Sequence, residues 1–221
     1  MEKEAKERDP ILRAAWFRKL RKWHARQLVF LDESGINTKL GTPKYGYAPK
    51  GKKIRMPVKS GRAVNISLLP AFTIDGYIAC NAYKGGVKKD NYLAFLEHDV
   101  LPKCNPYPQE RSVIVMDNCK IHHGPVHSNL LLELIYQEIK ELVKRFGCKL
   151  KYLPPYSPDY NPIEFSFSVI KKALKGAYRI DEDTSTEEMA GWVIEVSKQI
   201  VTKELAINQF KHCHIYTAGL E

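Results

Sequence analysis

Apolar side chains recur at helical spacing along the first 25 residues. Ile11, Leu12, Ala15, Trp16, Leu20 and Trp23 fall near one stripe among lysines and arginines, which predicts a helix over 1–25. Gln27–Leu31 is a short apolar run with β character. It ends at Asp32-Glu33-Ser34-Gly35, a turn signal. Residues 37–62 carry Gly41, Pro43, Gly46, Pro49, Gly51, Pro57 and Gly61 among many lysines and read as an irregular basic loop. Val64–Thr73 reads as a strand, Asp75-Gly76 as a hairpin turn and Tyr77–Tyr83 as the returning strand. Asp90 is placed to cap a helix reaching about Lys103.

The second half repeats this alternation. Ser112–Met116 (SVIVM) is a buried-type strand that ends on Asp117. Residues 126–146 form a long amphipathic helix with Leu130, Leu131, Leu134, Ile135, Ile139, Leu142 and Val143 on one side, stopped by Gly147. Leu150–Leu153 is a strand, and Pro154–Pro162 (PPYSPDYNP) a stiff loop. Asn161 caps the following helix, with Pro162 in its first turn, running to about Leu174. A last helix covers roughly 184–208. Strands alternating with helices after an antiparallel start predict an α/β fold: a mixed five-stranded sheet flanked by helices, of which the ribonuclease-H-like arrangement is one. The chain divides into a helical lead-in at 1–26, a main domain at 27–180 and a C-terminal helical extension at 181–221.

Composition narrows the partners. Hydrophobic residues make up 44%, enough for a real core. The longest apolar run, Ile66–Phe72, is interrupted by Ser67 and Pro70 and falls short of the ~18 residues that a membrane helix needs. The charged start does not read as a signal peptide, so a reducing compartment is expected. Five widely spaced cysteines without a C-x-x-C pair suggest neither a disulfide framework nor a zinc ribbon. The triplet His212-Cys213-His214 is a poor metal site, since adjacent residues rarely all reach one ion. A net charge of +10, from 35 basic and 25 acidic residues, favours a polyanionic partner, nucleic acid first.

Three carboxylates stand where chemistry collects. Asp32 and Asp117 each end an apolar strand, the edge of an open α/β sheet where ligands gather. Glu164 follows a proline-stiffened loop in the first turn of a helix. Hard divalent cations take carboxylate oxygens, and three carboxylates can hold the pair of ions that clamps a phosphodiester displacement. Each residue also has a plainer reading. A strand-ending aspartate often forms its own turn, and a glutamate three positions after Asn161 often completes a reciprocal helix cap. Glu33 points to the other side of an extended chain and is the weaker ligand candidate.

The surrounding text decides between these readings. L-D-E-S-G at 31–35, V-M-D-N-C-K-I-H-H at 115–123 and Y-L-P-P-Y-S-P-D-Y-N-P-I-E-F at 152–165 together resemble the catalytic core of the mariner-type DDE transposases, the DDE superfamily endonuclease domains common in fungal genomes. G-Y-A-P-K-G at 46–51, P-A-F-T-I-D-G-Y at 70–77 and V-L-P at 100–102 extend the resemblance over roughly 9–175. It implies a ribonuclease-H-like fold, Mg²⁺ or Mn²⁺ as two ions, and hydrolysis followed by strand transfer at transposon ends. Its catalytic, metal-holding residues here are Asp32, Asp117 and Glu164, with Asn118 and His122 matching the second motif's further positions. Lys44, Lys50, Lys52, Lys53 and Arg55 in the basic loop would hold DNA phosphates. The chain departs from the pattern in three places: 47 positions separate Asp117 from Glu164, Tyr47 replaces a common Trp, and His123 a common Arg or Lys. The excess spacing is expected in the helix at 126–146.

The implied partners are DNA, as transposon ends and as target, and a second copy in a homodimer, with no membrane. The nucleus is the expected compartment in a eukaryote, the cytoplasm otherwise. About 26 residues precede the first strand, too few for an end-reading helix-turn-helix domain, so a truncated or partial copy is expected. The rival reading is a catalytically inactive or domesticated transposase-derived DNA-binding protein.

Overall fold

A computed structural model describes residues 9–37, 47–52, 65–117, 127–177, 185–217 and 219. The first helix, α1, spans Pro10–Leu20. Asp9 starts it by accepting from the amides of Ile11 and Leu12 at 2.7 and 3.2 Å, and Pro10 occupies the first turn, where its missing N–H is no loss. Of the predicted stripe, Trp16, Leu20 and Trp23 are buried, but Ile11 is 75% exposed and Leu12 is exposed with it. The helix is therefore shorter than predicted, ending at Leu20, while residues 1–8 lie outside the described ones.

The predicted turn at 32–35 is corrected by the structure. β1 is Leu28–Leu31 and a further strand, β2, is Ser34–Asn37, so only Asp32 and Glu33 leave the sheet. Both pair antiparallel with β3 (Asn65–Thr73) in one unbroken register, Leu31 opposite Ala71 and Ser34 opposite Leu68. That register sets Pro70 opposite Asp32, and a proline has no amide to donate there. The outline is thus the predicted five-stranded one with β2 added where a turn was expected, which makes six. β4 (Gly76–Lys84) pairs antiparallel with the other edge of β3. Gly76 turns the hairpin at φ +103°, and a β-carbon there would lie 2.8 Å from the Val201 carbonyl oxygen.

β5 (Val113–Met116) and β6 (Lys149–Tyr152) add in parallel beyond β1, with Leu31, Met116 and Tyr152 level across the sheet. Side chains alternate between two cores. Leu28, Phe30, Phe72, Val113 and Val115 face one way, toward α1 and the helices α4 (Pro162–Ala177), α5 (Thr186–Ile200) and α6 (Lys203–His212). Val29, Leu31, Leu69, Ile114 and Met116 face the other, toward α2 (Lys89–Ala94), its continuation to Lys103, and α3 (His127–Arg145). A parallel strand buried on both faces must be apolar throughout, which is why LVFL and VIVM read as they do.

Two helix predictions change. Asp90 is not the cap: Lys88 precedes α2, and the helix widens over Phe95–Val100 before tightening at Leu101–Lys103. The predicted last helix is two. Ser185 and Glu188 form a reciprocal cap on α5, and Thr202 starts α6 by accepting from the Leu205 amide at 3.3 Å.

Candidate active site

Leu31 and Met116 are register partners on adjacent parallel strands, and each is followed by an aspartate. Asp32 and Asp117 therefore leave the sheet side by side at its C-terminal edge, on backbones about 4.8 Å apart. Both oxygens of Asp32 are engaged. Oδ1 accepts from the Glu33 amide at 2.8 Å, and Oδ2 accepts from the side-chain amide of Asn161 at 2.8 Å. Burial pushes Asp32 up to about 7, the charges of Glu164 and Asp117 adding to it, while the two hydrogen bonds oppose it.

Glu164 stands in the first turn of α4. Ile163, Phe167, Ile170 and Leu174 bury the inner stripe of that helix, which turns Glu164, Ser168, Lys172 and Lys175 outward. Although Glu164 as a residue is exposed, loss of hydration at its carboxyl raises its pKa; Lys171 lowers it and Asp117 raises it further. Asp32 thus feels the charge of both Glu164 and Asp117, and Glu164 that of Asp117.

The capping alternative for Glu164 is not what the structure holds. Asn161 is 2% exposed and its side-chain oxygen accepts no hydrogen bond among the described residues. Its amide is directed at Asp32 instead, and its backbone carbonyl accepts from the Glu164 amide at 3.2 Å. Asn161, expected as a helix cap, is the residue that ties the third motif to the first. Lys171, also missed, lies seven positions after Glu164, a spacing that returns to the same helix face.

The loop before α4 is held from outside. Arg13 of α1 donates from Nη1 to Asp159 Oδ1 at 2.9 Å and from Nη2 to Asp159 Oδ2, and its guanidinium lies 4.1 Å from the centroid of the Tyr160 ring. Phe17 stacks on the same ring at 6.5 Å.

Other expected residues divide as follows. Lys50 and Lys52 are exposed. Lys44, Lys53, Arg55, Asn118 and His122 lie outside the described residues. Glu33 accepts from the Val87 amide at 3.3 Å, in keeping with its direction away from Asp32. The triplet at 212–214 is not one site: Cys213 is buried, His212 meets the Phe165 ring and His214 the Phe17 ring.

Hard oxygen donors gathered at neighbouring chain positions are the donor set a divalent cation satisfies, since the ion neutralises their repulsion. Asp32, Asp117 and Glu164 fit such an ion in kind. Among the described residues, no group of three or more His, Cys, Asp or Glu side chains is drawn together as a ready-made ion site.

Residues 27–186 match a family model described as DDE superfamily endonuclease. No curated protein matches the chain. Among solved structures it is similar to the Mos1 transposase paired-end complex with left transposon end, with a TM-score of 0.68 and 17% identity, covering 96% of this chain and 60% of that one. It is similar to the Mos1 mariner paired end complex with Mn at TM-score 0.67 and 14% identity, covering 96% and 62%. It is also similar to the catalytic domain of Mos1 mariner transposase at TM-score 0.59 and 14% identity, covering 97% and 93%. At such identities the likeness is one of fold, the ribonuclease-H-like arrangement predicted above. The chain spans about three fifths of the transposase chains in the two complexes.

Proposed function

The chain belongs to the DDE superfamily endonucleases, and from that premise we propose that it is the catalytic domain of a mariner-type DNA transposase. It cuts phosphodiester bonds at transposon ends and joins the freed strand to target DNA. The observation that carries this reading is the placement of Asp32 and Asp117 at two neighbouring strand ends, with Asn161 tying Asp32 to the start of α4, where Glu164 stands.

In this reading Asp32, Asp117 and Glu164 hold two Mg²⁺ or Mn²⁺ ions. When bound, such ions supply a stronger nucleophile at neutral pH and neutralise charge on the departing oxygen. The protein's own residues prepare the place. Asn161 fixes the direction of the Asp32 carboxylate and favours its charged form. Lys171 favours the charged form of Glu164. Lys50 and Lys52, with Lys44, Lys53 and Arg55, hold the DNA backbone, a contact that weakens as salt rises. Asn118 and His122 serve the DNA next to Asp117. The working assembly is a homodimer, in the nucleus if the host is eukaryotic.

The test is nicking of supercoiled plasmid in Mn²⁺ or Mg²⁺. Wild type cuts, and Asp117→Asn does not, while its thermal unfolding stays that of a folded domain. Equal cutting by the variant overturns the assignment. DNA binding without cutting by the wild type, in either metal, replaces it with the reading of a domesticated binding protein.

A further inference from the structure

The matched family region begins at residue 27, so α1 lies outside it. Yet α1 reaches the motif that carries the third carboxylate. The loop from Pro154 to Asn161 has little to hold itself with. Pro154, Pro155 and Pro158 donate no backbone hydrogen bonds, and Tyr156 sits at φ +53°, unusual for a residue with a side chain. Its internal backbone bonds run from Tyr160 to Ser157 and from Asn161 to Pro158. Besides the Asn161 amide on Asp32, what fixes it against the body of the protein comes from α1.

Arg13 makes a two-pronged pair with Asp159, and the same guanidinium lies on the Tyr160 ring, which Phe17 also touches. An exposed ion pair of this kind would be worth little. This one is half-buried, the Arg13 side chain 14% and Asp159 44% exposed, and both the fork and the flat face of the guanidinium are used. The residue after Tyr160 is Asn161, whose amide reaches Asp32 and whose carbonyl takes the Glu164 amide. An unbroken line of contacts thus runs from Arg13 to two of the three carboxylates.

We propose that Arg13 is a positioning residue for the carboxylate site: through Asp159 and Tyr160 it fixes Asn161, and through Asn161 the relative placement of Asp32 and Glu164. This rests on the reading of Asp32, Asp117 and Glu164 as the metal-holding set. Arg13 touches no reacting atom. Its effect is to keep the ligands from separate parts of the chain in one arrangement, so that an ion does not have to order them on arrival.

The experiment uses the full 221-residue chain and Mn²⁺ alone as the probe, with binding followed by calorimetry at pH 8 and unfolding followed separately in EDTA. Arg13→Ala should weaken Mn²⁺ binding by up to about tenfold, the low end of what outer-shell partners of a metal site are worth. Arg13→Lys, which keeps the charge but loses the fork and the flat face, should weaken it too. Asp159→Asn gives the same readout should Arg13→Ala fail to fold. Gly76→Ala, which strains the hairpin against Val201 far along the chain, is the matched control: it should lower the unfolding temperature and leave Mn²⁺ affinity unchanged. If the Arg13 variants lose stability but keep wild-type Mn²⁺ affinity, Arg13 is merely structural and the proposal is overturned. Asp32→Ala separates the two levels. If wild type and Asp32→Ala bind Mn²⁺ alike, or wild type binds none, the carboxylate reading itself fails and the proposal falls with it.

Discussion

The side-chain amide of Asn161 donates to Asp32 across 2.8 Å, joining residues 129 positions apart. The bond favours the ionised carboxylate. Asn161→Ala should therefore do two things. It should weaken Mn²⁺ binding by roughly ten- to a hundredfold, as loss of an outer-shell partner does. It should also move the onset of metal binding to higher pH, because Asp32 without its donor holds its proton longer. Calorimetric Mn²⁺ titrations from pH 5.5 to 8.5 check both, and an unchanged pH profile would count against the role.

Asp32 also sets a pH dependence of stability in the metal-free protein. Its pKa is pushed up to about 7 in the fold, against ~3.9 in an unfolded chain. Between those values the folded protein keeps a proton that the unfolded chain has released. Stability therefore falls as pH rises through this window and is lowest above pH 7. Asp32→Asn removes the ionisation, so in EDTA it should melt above wild type at pH 8, by on the order of 1–3 kcal/mol, and converge with it near pH 4. Melting curves that stay parallel from pH 4 to 8 would sink this account.

On the proposed metal-holding role of Asp32, the same proton competes with metal. A divalent ion binds the ionised carboxylates, so at pH 5.5 it must displace the proton on Asp32, and above pH 7 it need not. Thermal stabilisation by a fixed Mn²⁺ concentration should be small at pH 5.5, grow through pH 6–7 and level off above. A stabilisation that does not vary with pH would place the ion elsewhere.

Lys50 and Lys52 are exposed on the described part of the basic loop. If each meets one phosphate, the double variant Lys50→Ala with Lys52→Ala lowers the slope of log affinity against log salt by about two. Fluorescence anisotropy on a duplex at several salt concentrations measures it. An unaltered slope would remove both residues from the DNA contact.

Much of this was legible in the residues. The strands LVFL and VIVM announce themselves because they are buried on both faces, and α3 because one side of it packs on the sheet. The aspartates at the strand ends and Glu164 at a helix start follow from local text. β2 did not show. Ser34, Gly35 and Asn37 are turn formers, and their strand exists only because β3 continues past the break in the same register. The split between α5 and α6 has no glycine or proline to mark it. It falls at Val201, whose carbonyl lies against Gly76 of the hairpin. Asn161 read as a helix cap because the nearer use of such a residue is always visible, and a partner 129 positions away is not.

The aromatic residues of one core give the contact of α1 with the sheet a practical meaning. Trp16, Leu20 and Trp23 from the start of the chain and Phe210 near its end share one core with Phe30 and Phe72, and Phe210 meets both rings edge-on at 5.5 Å. A fragment trimmed to 27–186, the stretch bearing the family signature, would keep α4 on that side of the sheet but lose α1, α5 and α6, and with them the Phe210 ring that covers Phe30 and Phe72. Anyone moving this catalytic unit onto another DNA-reading module has to carry both flanks with it, because the length of chain that bears the signature is shorter than the length that closes the core.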